Sequence, residues 1–225
     1  MSIRSQINLF SPGKLRGPLY ISVFLAVLVH VSGAIGMSFY DKAFFVSFTP
    51  VNLLLMLFLL IWNEEQLSRT FMWALLVAAL TGIASEMTGV HTGLLFGHYQ
   101  YGEVLGFKFM DVPLLIGLNW FCIVYCAYLM MLKLSGTTIN RWLLAAGTGL
   151  LATLFDWIME PVAVELGFWK WENDIIPVYN FFCWWLISTL LGFFFYSLRL
   201  KAENPFAVYL FIIQFLFFFL LQLLL

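Results

Sequence analysis

The sequence predicts an all-α protein, a polytopic membrane helical bundle of about seven transmembrane helices, and three observations lead to that fold class. First, 63% of the 225 residues are hydrophobic and only 10% are charged, whereas soluble domains are roughly 45–50% apolar and about 25% charged. Second, the apolar residues form seven runs, each close to the roughly 20 residues that a spanning helix needs. Third, polar and helix-breaking residues separate the runs. A soluble globular enzyme is therefore excluded.

The seven runs follow one another without a linker or a change of composition, which predicts a single integral membrane domain over 1–225. The first run begins after Pro18 and is long enough to span, so we expect no cleavable signal peptide. The second run contains Pro50, which predicts a kinked helix. The predicted spans are 18–37, 43–62, 71–88, 112–132, 142–162, 176–198 and 205–225. They are separated by Asp41-Lys42, Asn63-Glu64-Glu65, the long loop 89–111, Lys133 to Arg141, the long loop 163–175 and Lys201 to Pro205.

Basic residues predict the orientation of these spans, because Lys and Arg are enriched in cytoplasmic loops. Eight of them fall on the side of the N-terminus and three on the opposite side. We therefore expect a cytoplasmic N-terminus and an outer C-terminus, in a bacterial inner membrane. The eight are Arg4, Lys14, Arg16, Arg69, Lys133, Arg141, Arg199 and Lys201, and the three are Lys42, Lys108 and Lys170.

Several partners and cofactors are not expected. The formal charge is −1 and no basic run is present, so nucleic acid is an improbable partner. The three cysteines lie in apolar stretches without disulfide or metal spacing, and His30, His91 and His98 are too few for a di-iron site. No flavin or nicotinamide fingerprint is present. We expect no metal and no cofactor, and the sequence predicts no particular oligomeric state.

Two long loops, 89–111 and 163–175, hold most of the informative polar and aromatic residues, and the charge count places both on the outer side. Gly89, Gly93 and Gly97 recur at intervals of four residues. This pattern is typical of close helix packing, and it also fits a re-entrant segment that covers a cavity.

The loops belong to an internal repeat with an offset of 70 residues. Spans three and four would repeat as spans five and six in the same orientation, which predicts a pseudo-two-fold axis along the membrane normal. Such an axis would bring Glu86 and Asp156 to equal depth. Chance similarity between aromatic-rich segments is the alternative. The matched pairs are Glu86 with Asp156, Gly97 with Gly167, Tyr99 with Trp169 and Tyr101 with Trp171; the order continues as Asp111, Pro113, Asn119 and Trp120 beside Asp174, Pro177, Asn180 and Trp184.

Three acids, Glu86, Asp156 and Glu160, lie in or near the ends of apolar helices. An acid within a membrane span costs roughly 2.5–3.5 kcal/mol on insertion scales. Asp156 and Glu160 are four residues apart and share a helix face. Two such carboxylates titrate as a coupled pair that keeps one proton near neutrality, which suits general acid–base chemistry. Pro161 predicts a helix end or kink beside them. A single acid, such as Glu86 alone, would more often be a structural hydrogen-bonding group.

Aromatic residues flank the acids in both halves of the repeat, notably Tyr99, Tyr101, Trp169, Trp171 and Trp184. Ring faces stabilise cations, so these residues could support a carbocation. An aromatic belt at the outer membrane interface is the alternative interpretation.

Residues 70–190 resemble the carotenoid-biosynthesis membrane proteins of the CruF type. The motifs that carry the resemblance are Glu86 to Tyr101, Asp111-Val-Pro with Asn119-Trp120, Asp156-x-x-x-Glu160-Pro161, Gly167-Phe-Trp-Lys-Trp171, and Ile176-Pro-Val-Tyr-Asn180 with Trp184-Trp185. Glu160 stands where the family pattern often has an Asp. The resemblance makes 70–190 the predicted catalytic core.

The resemblance implies a carotenoid 1,2-hydratase, which adds water to the terminal double bond of an acyclic (ψ) end group and forms a tertiary alcohol without a cofactor. The lipophilic substrate would enter from the membrane lipid. A small integral-membrane lycopene cyclase, and a transporter or pigment-binding protein, are the alternatives. The implied catalytic residues are Glu86, Asp156 and Glu160, and the implied substrate-binding residues are His91, Tyr99, Tyr101, Asp111, Asn119, Trp120, Trp169, Trp171, Tyr179, Asn180 and Trp184.

Overall fold

The all-α membrane bundle is confirmed by the computed structural model, which describes residues 17–136, 139–201 and 203–225. Six of its helices are long and apolar enough to cross a membrane. Of the basic residues that predict the orientation, Arg4, Lys14 and Arg16 lie outside the described residues. The long helices are α1 (Gly17–Phe39), α4 (Arg69–Thr92), α5 (Leu114–Ser135), α6 (Arg141–Glu165), α7 (Val178–Ser197) and α8 (Pro205–Leu224); two shorter helices are α2 (Lys42–Ser47) and α3 (Thr49–Trp62).

The second predicted span, 43–62, is divided into α2 and α3. The side chain of Asp41 accepts a hydrogen bond from the Phe44 N–H and starts α2, and Pro50 lies in the first turn of α3, where a proline is tolerated. Phe48 separates the two helices. The 14 residues of α3 reach only about 21 Å at 1.5 Å per residue, short of the roughly 30 Å hydrocarbon core, so α3 is not among the six helices long enough to cross a membrane.

Helix α5 is the centre of the bundle. It packs against α3, α4, α6, α7 and α8 and is buried on all sides over most of its length, as expected of a helix that is apolar all round. Gly82 of α4 leaves room for the Trp120 side chain of α5, because a Cβ at this position would lie 2.5 Å from Cγ of Trp120.

The two long loops are joined by a pair of short strands. Strand β1 (Tyr99–Tyr101) pairs antiparallel with β4 (Trp169–Trp171), so that Tyr99 faces Trp171 and Tyr101 faces Trp169. The four aromatic side chains are buried and the central residue of each strand is exposed, since side chains alternate along a strand. We call this pair the roof ribbon. A second ribbon pairs β2 (Lys108–Phe109) with β3 (Val112–Pro113).

The glycine repeat lies where the chain leaves α4 for the roof ribbon. Gly93 caps α4 with a left-handed φ of 65°, which glycine adopts without strain. A Cβ at Gly89 would lie 2.8 Å from the Tyr99 hydroxyl, so Gly89 serves close packing. Residues 93–98 form bends and no re-entrant helix.

Helix α6 continues through Pro161 to Glu165. Of the two outcomes predicted for Pro161, the helix end was therefore wrong, and the kink stays a prediction. Glu160 directly precedes the proline and Asp156 lies one turn earlier, both inside the helix. The internal repeat itself stays a prediction, although β1 and β4, which it makes equivalent, pair with each other.

Candidate active site

Three carboxylates converge on one buried cavity. Glu86 comes from the end of α4, and Asp156 and Glu160 come from adjacent turns of α6; they are 5%, 0% and 2% exposed. The cavity has a volume of about 20 Å³, which exceeds the roughly 10–15 Å³ that a water molecule requires. The remaining lining residues are Phe96, Tyr99, Tyr101, Ile116, Asn119, Met159, Trp169, Trp171, Asn180 and Trp184.

Glu86 is held by three donors. The hydroxyls of Tyr99 and Tyr101 both donate to Oε2, the latter at 2.7 Å, and Nε1 of Trp120 donates to Oε1 at 2.8 Å. Two of these donors come from the roof ribbon and one from α5. Several donors on one carboxylate favour its ionised form. Both oxygens of Glu86 therefore already accept hydrogen bonds from the protein.

The opposite wall holds two acids that share an amide. Nε1 of Trp169 and Nε1 of Trp171 donate to Oε2 of Glu160 at 3.0 and 2.9 Å. Nδ2 of Asn180 donates to Oδ2 of Asp156 at 2.9 Å and to Oε1 of Glu160 at 3.3 Å. Oδ1 of Asp156 is buried and has no hydrogen-bond partner among the described residues. One oxygen on this wall is therefore available to a proton, a water molecule or a substrate.

The two tyrosines of the roof ribbon stay protonated. Burial raises the pKa of Tyr99 and of Tyr101 well above the ordinary value, and the neighbouring charge of Glu86 raises both further. Each hydroxyl therefore keeps its hydrogen near neutral pH and donates it to Glu86.

Aromatic rings join the two walls. The indoles of Trp120 on α5 and Trp184 on α7 stack with centroids 3.8 Å apart and planes inclined by 7°. Tyr99 contacts Trp171 at 4.9 Å. Trp184 also lines the cavity, so a cation formed there would have an aromatic neighbour. Trp120 lies behind the lining, between Glu86 and Trp184.

Four predicted site residues do not line the cavity: Trp120, which lies behind the lining, and His91, Asp111 and Tyr179. His91 is exposed and its Nε2 donates to the Met110 carbonyl at 3.1 Å. Asp111 is exposed in the turn of the second ribbon. Tyr179 is 48% exposed, and its hydroxyl donates to the Leu94 carbonyl. These last three lie in or beside the segments that connect the helices.

Three lining residues were missed by the sequence analysis: Phe96, Ile116 and Met159. Helical spacing could have found two of them, because Met159 follows Asp156 by three residues and Ile116 precedes Asn119 by three. Phe96 had no such signal. It enters the cavity from an irregular segment with a positive φ of 65°.

A fourth carboxylate, Glu64, is half-buried at the other end of α4. The Tyr125 hydroxyl donates to its Oε2 at 2.7 Å, and Nδ2 of Asn204 donates to the same oxygen at 3.3 Å. Burial raises the pKa of Glu64 above the ordinary value. This acid links the segment between α3 and α4 to α5 and α8.

The fold and the site define an integral membrane protein whose helices enclose a cavity of buried carboxylates. Among the described residues, no three His, Cys, Asp or Glu side chains are grouped so that they could hold a metal ion. Residues 45–225 match the family described as carotenoid biosynthesis protein, and the chain therefore belongs to that family. The predicted resemblance to carotenoid-biosynthesis proteins is confirmed.

One relative has an assigned activity. The chain is 34% identical over 123 residues to the bisanhydrobacterioruberin hydratase of Haloarcula japonica, a match that covers 51% of this chain and 41% of the hydratase. The matched part is therefore less than half of that relative. No solved structure is significantly similar to the chain.

Proposed function

We propose that the protein is a carotenoid hydratase that adds water to the terminal 1,2 double bond of an acyclic end group. The observation that carries the proposal is the unpartnered Oδ1 of Asp156 in a cavity large enough for a water molecule. Membership of the family and the similarity to a carotenoid hydratase support the substrate class.

The first step is protonation of the alkene. Asp156 accepts one hydrogen bond among the described residues, so it is the acid best placed to hold the proton of the α6 pair. Its Oδ1–H bond breaks as the proton passes to C2, and the alkene electrons leave a tertiary cation at C1. The ring of Trp184 and the carboxylate of Glu86 stabilise that cation.

Capture by water completes the addition. A water molecule in the cavity forms a bond from its oxygen to C1, and its surplus proton passes to Glu160. Asn180 holds Glu160 and Asp156 together, so the proton returns from Glu160 to Asp156 and the site is restored. Overall, one water is consumed, C2 gains a hydrogen and C1 gains a hydroxyl, and no oxidant or reductant is needed.

The source of the hydroxyl tests this function. Purified protein, kept anaerobic with an acyclic-ended carotenoid, is expected to form the tertiary alcohol. In ¹⁸O-labelled water the alcohol should carry the label, and in deuterated water C2 should gain deuterium. Oxygen arriving from O₂ would contradict hydration. An isomeric ring product without added oxygen would instead establish cyclisation by the same acid.

The orientation follows from the charge count. We infer that the N-terminus is cytoplasmic in a bacterial inner membrane and that the roof ribbon lies on the outer side. Cysteine introduced at Gln100 or Asn173, in a protein without its native cysteines, should react with an impermeant thiol reagent in intact cells. Reaction only after permeabilisation would reverse the orientation.

A further inference from the structure

A second cavity adjoins the acid cavity. It lies among α1, α3, α5, α6 and α8 and shares four lining residues with the acid cavity: Ile116, Asn119, Met159 and Trp169. We call this second cavity the cleft. Because the same four side chains line both spaces, they form the boundary between the cleft and the acids.

The cleft is lined mainly by hydrocarbon. Leu53, Phe155, Phe168, Phe217 and Phe218 form its walls. Its volume is about 60 Å³, less than a branched chain fills, so occupation requires side chains to move. Met37 and Met159 line it too, and methionine adapts readily to a changing shape.

We propose that the cleft binds the hydrocarbon chain next to the reacting end of the substrate, and that its amides hydrogen-bond the hydroxyl of the departing product. The proposal rests on the proposed function, which requires a long apolar substrate. Leu53 and Asn52 on α3 are partly exposed, so the chain reaches the cleft from the lipid side of α1 and α3.

The amides are the second observation. Gln214 is 8% exposed, and among the described residues neither its side chain nor that of Asn119 has a hydrogen-bond partner. Oδ1 of Asn52 is buried and unpartnered in the same part of the structure. All three residues line the cleft. Unpartnered amides in an apolar setting are unfavourable, and polar groups at membrane depth mark functional sites.

The hydroxyl of the proposed product would be a hydrogen-bond partner for these amides. The substrate end is a hydrocarbon as it arrives, but the product carries a hydroxyl that must leave through apolar surroundings. Gln214, Asn119 and Asn52 would donate to that hydroxyl or accept from it. Nδ1 of His30 donates to the Ala26 carbonyl at 2.7 Å, so its other ring nitrogen is left as a further acceptor in the cleft.

Filling the cleft tests the binding of the chain. In an Asp156→Asn background, chosen because we expect it to slow turnover about 10²–10⁴-fold, Leu53→Trp should reduce the carotenoid bound by purified protein at least about tenfold, as expected when a site is overfilled. The matched control is Leu54→Trp, since Leu54 is the next residue of α3 and is 49% exposed; it should bind as the parent does. The probe is an acyclic-ended carotenoid in detergent micelles, measured by its visible absorption.

A milder variant guards against misfolding. Leu53→Phe should give an intermediate loss of bound carotenoid with the elution volume of the parent. Equal binding by the Leu53 and Leu54 variants would overturn the proposed cleft. Binding is measured without turnover, so this result does not depend on hydration. If the Leu53 variants lose binding but the protein with its native Asp156 hydrates no acyclic-ended carotenoid, the cleft is supported and the proposed function is refuted.

The amides are tested by separating the first turnover from later ones. Gln214→Leu should keep the rate of the first turnover and lower the steady-state rate by about two- to tenfold, which corresponds to the loss of one hydrogen bond. Gln222→Leu, an exposed residue of the same helix, should change neither rate. A Gln214→Leu protein with an unchanged steady-state rate would refute the role in product release.

Discussion

The two walls of the acid cavity hold their carboxylates in different ways. On the α4 wall, one acid, Glu86, receives three hydrogen bonds, and both of its oxygens are occupied. On the α6 wall, Asp156 and Glu160 share Asn180, and Oδ1 of Asp156 has no partner among the described residues. The first wall resembles a fixed anion, and the second has the means to hold and release a proton.

The contrast shows that surroundings, and not residue type, divide the work among similar acids. The internal repeat pairs Glu86 with Asp156. In the structure, however, Glu86 and Glu160 are the two acids that each accept hydrogen bonds from both aromatic residues of one roof-ribbon strand. Asp156 accepts none from the roof ribbon. We therefore place the mobile proton on Asp156, and the following variants sharpen or break that assignment.

Asp156→Asn should have the largest effect. An amide at this position cannot deliver the proton, so we expect hydration to fall about 10²–10⁴-fold with near-normal expression. Carotenoid products of the purified variant should be quantified by mass spectrometry. The matched control is Glu165→Gln on the same helix, an exposed acid in an ion pair with Lys42 at 2.5 Å, which should keep full activity. Turnover by Asp156→Asn close to wild type would remove Asp156 as the donor.

Glu160→Gln should follow, with a loss of about a hundredfold. The variant has no carboxylate to receive the proton from water, and its amide would present N–H groups to the donors of Trp169 and Trp171. In deuterated water, protonation of C2 should become reversible, so that recovered substrate carries deuterium. An active variant without such exchange would show that another group receives the proton.

Glu86→Gln should cost about tenfold, because a neutral side chain cannot stabilise the cation by charge. It also leaves one of the donors Tyr99, Tyr101 and Trp120 without an acceptor, so thermal stability should fall. Full turnover of this variant would reduce Glu86 to a structural role and break the contrast between the walls.

Tyr101→Phe should have a smaller effect, since it removes one of three donors and leaves the carboxylate. Loss of one hydrogen bond to a charged group corresponds to about 1.5–3 kcal/mol, which a change in melting temperature should report, with activity reduced less than in Glu86→Gln. A variant as inactive as Glu86→Gln would mean that the tyrosine acts directly in the chemistry.

Glu64→Gln should leave hydration unchanged, because Glu64 lies at the other end of α4. The folded-state pKa of Glu64 is raised by burial, so its contribution to stability is present at low pH and is lost as the pH rises through that pKa. The wild type should thus lose stability relative to the variant as the pH rises above the ordinary glutamate pKa of about 4.3, as measured by thermal unfolding. A variant with the same pH dependence as the wild type would contradict the raised pKa of Glu64.

The sequence predicted the fold class, the three acids and most of the aromatic lining, because buried charges and their flanking rings are rare enough to stand out in an apolar chain. The division of 43–62 into two helices was foreseen only as a kink at Pro50. The sequence could not show that Phe48 separates two helices, since that depends on how the capped α2 packs against α1.

Three predicted substrate-binding residues lie outside the cavity lining for a shared reason. His91 lies in the last turn of α4, Tyr179 in the first turn of α7 and Asp111 in the turn of the second ribbon, and at such ends of elements no periodicity predicts where a side chain points. The core of 70–190 stays a prediction, and it does not include α1, α3 and α8. These helices carry no motif, and they line the cleft only through tertiary packing.

The roof ribbon has a consequence for the order in which the protein is made. Its two strands are separated by α5 and α6, so β1 leaves the ribosome long before β4 exists to pair with it. Until then Glu86 has its tyrosine donors but no opposite wall. The site that we propose for proton transfer is therefore assembled only after α6, β4 and α7 have been made, because these elements supply Asp156, Glu160, Trp169, Trp171 and Asn180.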